Sequence, residues 1–346
     1  MKRWILFALA GMGLLAGSIA LYGFVYALVP PRGQAASKIV TLDKGLTFKQ
    51  IARTLEEKGV IHGVTRFILL GRIVHAEPKI KAGEYCFDLP TSHWKVLKKI
   101  IEGRVKTYKV TIPEGYTISQ IGDLLDRKGI VSKKAFLKEA SSPELLSRYH
   151  IEGPNAEGYL FPDTYTLSKN SDPQVVIRFF LDRFRQVFTP DMAMRASELG
   201  FSEGEIVTIA SIIEKETSDP RERPLVSAVI HNRLKKRIRL QSDPTVIYGI
   251  PDFNGNLTKR DLERYTPYNT YLIKGLPPGP ISNPGIESLK AALFPAQVDY
   301  LYFVSRNDGT HQFSSSLKEH NMAVNKYQRH RKRARTREAE EVRGKP

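Results

Sequence analysis

Residues 206–248, IVTIASIIEKETSDPRERPLVSAVIHNRLKKRIRLQSDPTVIY, decide how this chain is read. Ile206, Val207, Ile209, Ala210, Ile212 and Ile213 recur with a period near 3.6 and predict a helix with one broad apolar face. Glu214 and Glu216 close that helix at the margins of the apolar face, while Lys215 between them points away. A carboxyl held against apolar packing is costly to ionise, and a second carboxylate nearby raises its pKa further. The negative end of the helix dipole acts in the same direction. Either glutamate can therefore be protonated at neutral pH, the state that general-acid cleavage of a glycosidic bond requires. The competing reading of both is a solvated or paired surface group. A second helix is expected from Pro224 to about Leu234, and RIRLQSDPTVIYGI (237–250) reads as a basic strand or loop.

Working outward, 346 residues with 41% hydrophobic and 26% charged side chains suit a folded chain of two or three domains. The formal net charge of +17 points to an anionic partner. The single cysteine, Cys86, excludes an internal disulfide and a cysteine-based zinc site, and the eight histidines show no metal-ligand spacing. Met1-Lys2-Arg3 precedes an uncharged run from Trp4 to Val29, which as a helix extends about 39 Å, enough for a bilayer core. Trp4 and Tyr26 stand near its ends, as interfacial aromatics do, and Lys2 and Arg3 favour a cytoplasmic N-terminus. Arg32 weakens that charge contrast without reversing it. A signal peptide cleaved near Gln34-Ala35-Ala36-Ser37 is the alternative, but the run exceeds the usual apolar region of such a peptide.

Beyond the anchor the chain repeats itself. VTLDKGLTFKQIARTLEEKG (40–59) aligns without gaps with VTIPEGYTISQIGDLLDRKG (110–129). Each copy reads as a short strand, a glycine turn at Gly45 or Gly115, a threonine N-cap at Thr47 or Thr117, and an amphipathic helix stopped by Gly59 or Gly129. A later strand near 82–87 and a helix from His93 to Glu102 complete the first copy. This shape is similar to LysM-like modules, which bind N-acetylglucosamine-containing glycans; a spacer without ligand is the alternative. A helical stretch runs from Lys133 to about Arg148. Helices at 173–187 and 190–199 lead into the central one. Residues 257–285 form a long loop, followed by a short helix (286–293) and a hairpin turning at Asp308-Gly309. The charge-dense segment 329–345 reads as a solvated tail, with contact to anionic lipid or cell wall as second reading.

Several stretches in one order resemble the endolytic murein transglycosylases, membrane-bound enzymes that cut peptidoglycan strands. They are EGYLFPDTY (157–165), ASIIEKET (210–217), NRL (232–234), LQSDPTVIYG (240–249), YNTY (268–271) and GLPPGPISNPG (275–285). The resemblance implies an α+β chain: an anchor (1–31), a LysM-like module (32–108), a second repeat unit (109–150), a mixed α+β catalytic domain (151–325) and a basic tail (326–346). It implies a single-glutamate lytic transglycosylase of the cytoplasmic membrane, with its catalytic domain outside the cytoplasm and no metal or cofactor. Glu216, matching the second glutamate of the family's EKE motif, is the expected acid/base, with Glu214 in reserve. Glu157, Tyr159, Asp163, Arg233, Gln241, Asp243, Tyr248, Asn269 and Tyr271 are the expected substrate-binding residues, and Arg239 with Arg233 could meet stem-peptide carboxylates. The partners implied are glycan strands, the membrane and the elongation synthases. Nucleic acid fits poorly, since the basic surface would lie outside the cytoplasm. A muramidase with Asp243 or Asp163 as second carboxylate and a noncatalytic envelope scaffold are the competing functions.

Overall fold

The structure, a computed structural model, describes residues 2–31 and 33–329. Arg32 and the expected basic tail beyond Arg329 lie outside the described residues. The architecture is mixed α+β and forms two compact units, one of Met1–Lys109 with Thr166–Ser171, the other of Val110–Tyr165 and the chain from Asp172 on.

The first unit begins with helix α1 (Lys2–Leu28), whose stretch Leu9–Leu28 has a mean hydropathy of 1.6 and is long and apolar enough to cross a membrane. Strand β1 (Ala36–Leu42) pairs antiparallel with β2 (Gly83–Leu89), setting Val40 opposite Tyr85. Helices α2 (Phe48–Glu57), α3 (Val64–Ile73) and α4 (His93–Glu102) accompany this ribbon. Val40, Leu55, Phe67, Tyr85, Leu97 and Ile100 are all but inaccessible and form the core. Gly71 lets α2 and α3 approach, because a Cβ there would lie 2.1 Å from the Phe48 ring.

The sequence repeat is a repeat of local structure. Thr47 and Gln50 form a capping box at α2, and Thr117 and Gln120 form the same box at α5 (Ile118–Arg127). Gly59 and Gly129 follow the two helices with φ of +62° and +67°, a conformation that ends a helix without Cβ strain. The second copy, from Val110, belongs to the second unit. Strands β3 (Thr107–Thr111) and β4 (Thr164–Ser168) pair with each other, and their residues are shared between the units.

In the second unit the expected helical stretch 133–148 forms two helices, α6 (Lys133–Ala140) and α7 (Pro143–Arg148). Pro143 offers no backbone N–H and keeps Ser142 extended, so the first helix stops before it. Next come α8 (Pro173–Val187), α9 (Pro190–Glu198), α10 (Glu203–Glu216), α11 (Arg223–Lys235), α12 (Asp243–Tyr248), α13 (Lys259–Glu263) and α14 (Ile286–Leu293). A hairpin, β5 (Tyr302–Ser305) with β6 (His311–Ser314), and helix α15 (Leu317–Val324) follow. The 237–250 stretch thus contains a helix, α12, where a strand or loop had been expected; Pro244 presets its first turn.

Helix α10 is the axis of this unit. A capping box between Ser202 and Glu205 starts it, and every residue from Ile206 to Ile213 is buried. It is enclosed on all sides, by α9, α11, α12 and α14, and not on one face alone. Its buried Ser211 hydroxyl donates to Thr208 O (2.7 Å) and accepts from Ile281 N–H (3.0 Å), and Ser282 donates to Ser211 O (3.2 Å). The long 275–285 loop is therefore fastened to the axial helix by paired polar groups, as burial requires.

Candidate active site

Glu214 and Glu216, two residues apart at the end of α10, have different surroundings. Glu214 is 7% exposed, lies 3.2 Å from the Arg223 guanidinium and accepts the Gly285 N–H at 2.9 Å. Glu216 opens onto a cavity of about 510 Å³ lined also by Arg233, Gln241, Ser242, Asp243, Tyr271, His311 and His320. Protein packs densely around its carboxyl on the remaining sides. Burial, and then the nearby Asp243 charge, push its pKa up to about 7, while the Ser242 hydroxyl bond and the positive charge of Arg233 pull it back. Its carboxyl can therefore carry a proton near neutral pH.

The wall opposite α10 is built from the chain segments 240–243 and 268–271. Ser242 donates from its hydroxyl to Glu216 Oε1 at 2.5 Å, and its backbone N–H is held by Thr270 Oγ1 at 3.0 Å. Gln241 N–H bonds Thr270 O, and Gln241 takes φ +51°, a left-handed conformation uncommon for a residue with a Cβ. Tyr271 donates to Asp243 Oδ1 at 2.6 Å, and burial followed by that carboxylate raise the phenol's pKa well above its ordinary value.

Of the residues expected to meet substrate, Glu216, Arg233, Gln241, Asp243 and Tyr271 converge on this cavity. Arg233 directs two of its three nitrogens at protein: Nε at Leu301 O, and Nη1 at Arg239 O, Leu240 O and Gln241 Oε1. Through Nε and Nη1 it thereby shapes the 239–241 wall. Arg239 is exposed and bonds Tyr271 O at 3.2 Å.

Glu157, Tyr159, Asp163, Tyr248 and Asn269 do not line the cavity. Glu157 is 3% exposed and accepts from Ile118 N–H, Tyr248 Oη and Asn283 Nδ2; burial pushes its pKa up to about 7 against those donors. Tyr159 packs edge-on to Phe184, and Asp163 pairs with Arg183 at 2.7 Å. Asn269 donates to Leu262 O and Arg264 O and accepts Tyr271 N–H, which folds the YNTY loop. These motif residues hold the loops that carry the wall.

Three participants were not singled out from sequence. Ser242 stands between two residues that were. Glu222 and His311, 89 positions apart in the chain, meet at 2.7 Å between Oε2 and Nδ1, and no spacing pattern announces that pair. Among the described residues there is no group of three His, Cys, Asp or Glu side chains placed to hold a metal ion.

The chain has relatives. The model of the YceG-like family matches residues 40–326. The chain is 29% identical over 331 residues to the endolytic murein transglycosylase of Bacillus subtilis, covering 91% of each chain. It is 27% identical to that of Streptococcus pneumoniae D39, covering 93% of this chain and 65% of the relative's length. A crystal structure of a yceG-like protein from Listeria monocytogenes, 34% identical, superposes with a TM-score of 0.57 over 84% of this chain and all of its own. A family match that runs from the first repeat through the second unit leaves one assignment: the chain belongs to the YceG-like family.

Proposed function

We propose that this chain is an endolytic murein transglycosylase that cuts the β-1,4 bond between N-acetylmuramic acid and N-acetylglucosamine with Glu216 as its catalytic acid. The observation that carries this is a carboxyl poised near neutrality on a cavity, on a chain similar over its length to enzymes of that name. Protonated Glu216 gives its proton to the leaving oxygen. The muramyl C6 hydroxyl then attacks C1, closes a 1,6-anhydro ring and loses its proton, so the substrate supplies its own nucleophile. Gln241, Asp243 and Tyr271 offer hydrogen-bonding groups around the acid, and the Tyr271 ring offers a face for a sugar.

In this reading α1 anchors the enzyme in the cytoplasmic membrane, N-terminus inside, and the cutting of nascent strands limits their length. The first unit serves as a LysM-like glycan-binding module: a pocket of about 420 Å³ lies between its 42–48 turn and residues 77–82. Hydrolysis by a muramidase is the second reading, favoured by Asp243 as a second carboxylate on the same cavity.

The test is digestion of purified peptidoglycan strands by the full chain in detergent, wild type beside Glu216→Gln. Transglycosylation yields anhydro ends, lighter than hydrolytic ends by one water. Reducing ends alone would establish the muramidase, and activity unchanged by Glu216→Gln would remove Glu216 from the mechanism.

A further inference from the structure

The cavity holds a second group built to handle a proton. Glu222, the residue before α11, is 8% exposed, and its carboxylate accepts three hydrogen bonds. His311 N–H reaches Oε1 at 2.7 Å, His311 Nδ1 reaches Oε2 at 2.7 Å, and the Thr217 hydroxyl reaches Oε2 at 3.3 Å. A carboxylate can only accept, so the proton of a neutral His311 ring must sit on Nδ1, and Nε2 is left with its lone pair. The ring is fixed edge-on against Phe303 at 5.4 Å and lines the Glu216 cavity. Its Nε2 has no hydrogen-bond partner among the described residues and is not among their fully buried unpartnered atoms, so it is accessible on a residue that lines the cavity.

We propose that His311, oriented by Glu222, is a second catalytic residue of this cavity, its Nε2 accepting the hydrogen of the sugar hydroxyl that attacks the anomeric carbon. The inference rests on the transglycosylase reading and divides its proton work. The C1–O4 bond breaks, and its electron pair takes the Glu216 proton. The C1–O6 bond forms, and the O6 proton passes to Nε2. The product state holds a Glu216 carboxylate and a His311 imidazolium. Transfer of that proton back to Glu216 through cavity water restores both, with no other reactant consumed. Glu222 is the positioning residue: it sets the tautomer and stabilises the imidazolium, as a buried carboxylate does for a catalytic histidine.

The alternative role of the pair is a clasp between the β5–β6 hairpin and the start of α11. Kinetics of the full chain on purified strands separate the two, with His311→Ala, His311→Gln, Glu222→Gln and the His311→Ala/Glu222→Gln double variant compared. Catalysis predicts a kcat for anhydro-end formation lower by about 100-fold in His311→Ala with little change in KM, and partial recovery in added imidazole. Glu222→Gln keeps an acceptor for His311 N–H but turns an amide N–H toward Nδ1, forcing the proton to Nε2. Its kcat should fall comparably, and the double variant should be no worse than the single ones. Should His311→Ala not fold, His311→Gln and Glu222→Gln carry the decision. The proposal is overturned if these variants keep kcat within about threefold of wild type, or if their losses add and imidazole restores nothing. Wild type that makes no anhydro ends overturns the transglycosylase reading and this one together; wild type that makes them while the variants keep the rate overturns this one alone.

Discussion

Ser242 Oγ lies 2.5 Å from Glu216 Oε1 and donates to it, and it is the one side-chain hydroxyl bonded to that carboxyl among the described residues. A donor to a carboxylate favours the charged form and holds the pKa down, opposing the burial that drives it up. Removing it should let burial win further. Ser242→Ala is expected to move the alkaline limb of the pH–rate profile, near pH 7 in wild type, upward by about one unit. A limb that stays in place would mean that Glu216 is not the group being titrated.

The same burial has a consequence for stability. The Glu216 pKa in the folded chain, about 7, lies above its ordinary 4.5. The native state therefore binds the proton more tightly than the unfolded one, and this side chain's contribution falls as pH rises from 4.5 to 7 and is flat above. Glu216→Gln removes the slope. The variant should gain on wild type by about 1.4 kcal/mol per pH unit across that window, to about 3 kcal/mol at pH 8, while losing activity. Unfolding midpoints of the two proteins at pH 4.5, 6 and 8 measure it, and parallel curves would refute a buried acid.

Much of this was legible beforehand, for local reasons. The two repeats could be read because capping boxes and glycine stops are written within a few residues. Helix α10 could be read because its apolar run is continuous, although periodicity assigned it one buried face where packing encloses it all round. The choice between Glu214 and Glu216 was not legible: two positions on one helical margin have the same pattern, and only Arg223 and Gly285, brought by other elements, separate them. The same limit hid the buried hydrogen bonds of Glu157 and Asn269, since a buried polar clasp and a sugar-binding loop use the same residue types.

Glu214 should matter to the fold and not to the chemistry. It and Arg223 are 7% and 9% exposed, and Glu114, 3.7 Å from the same guanidinium, compensates only in part. Glu214→Gln leaves a buried arginine short of charge, a change that costs about 3 kcal/mol or more when one partner of such a pair is removed. The prediction is a lower unfolding midpoint with kcat per folded molecule close to wild type. A loss of kcat comparable to that of Glu216→Gln, in folded protein, would reverse the assignment of the two glutamates.

Asn283, fully buried, supports the same framework. Its Nδ2 donates to Tyr116 O at 2.9 Å and Glu157 Oε1 at 2.8 Å, and its Oδ1 accepts Leu160 N–H at 2.8 Å. The backbone N–H can only donate, so the network fixes which way the amide points. Asn283→Asp keeps the shape and replaces the donor by an oxygen facing a carbonyl and a carboxylate, so no cavity term enters. The expected loss is about 3–5 kcal/mol at pH 8, the scale for an uncompensated buried charge. Its sign with pH follows from linkage: the new carboxyl has a raised folded pKa, so the penalty is full at high pH and shrinks as acid protonates it. Unfolding of Asn283→Asp beside Asn283→Ala, which cannot titrate, isolates that effect. If the two variants keep a constant difference between pH 5 and pH 8, the Asn283–Glu157 contact does not hold the loops together as the geometry indicates.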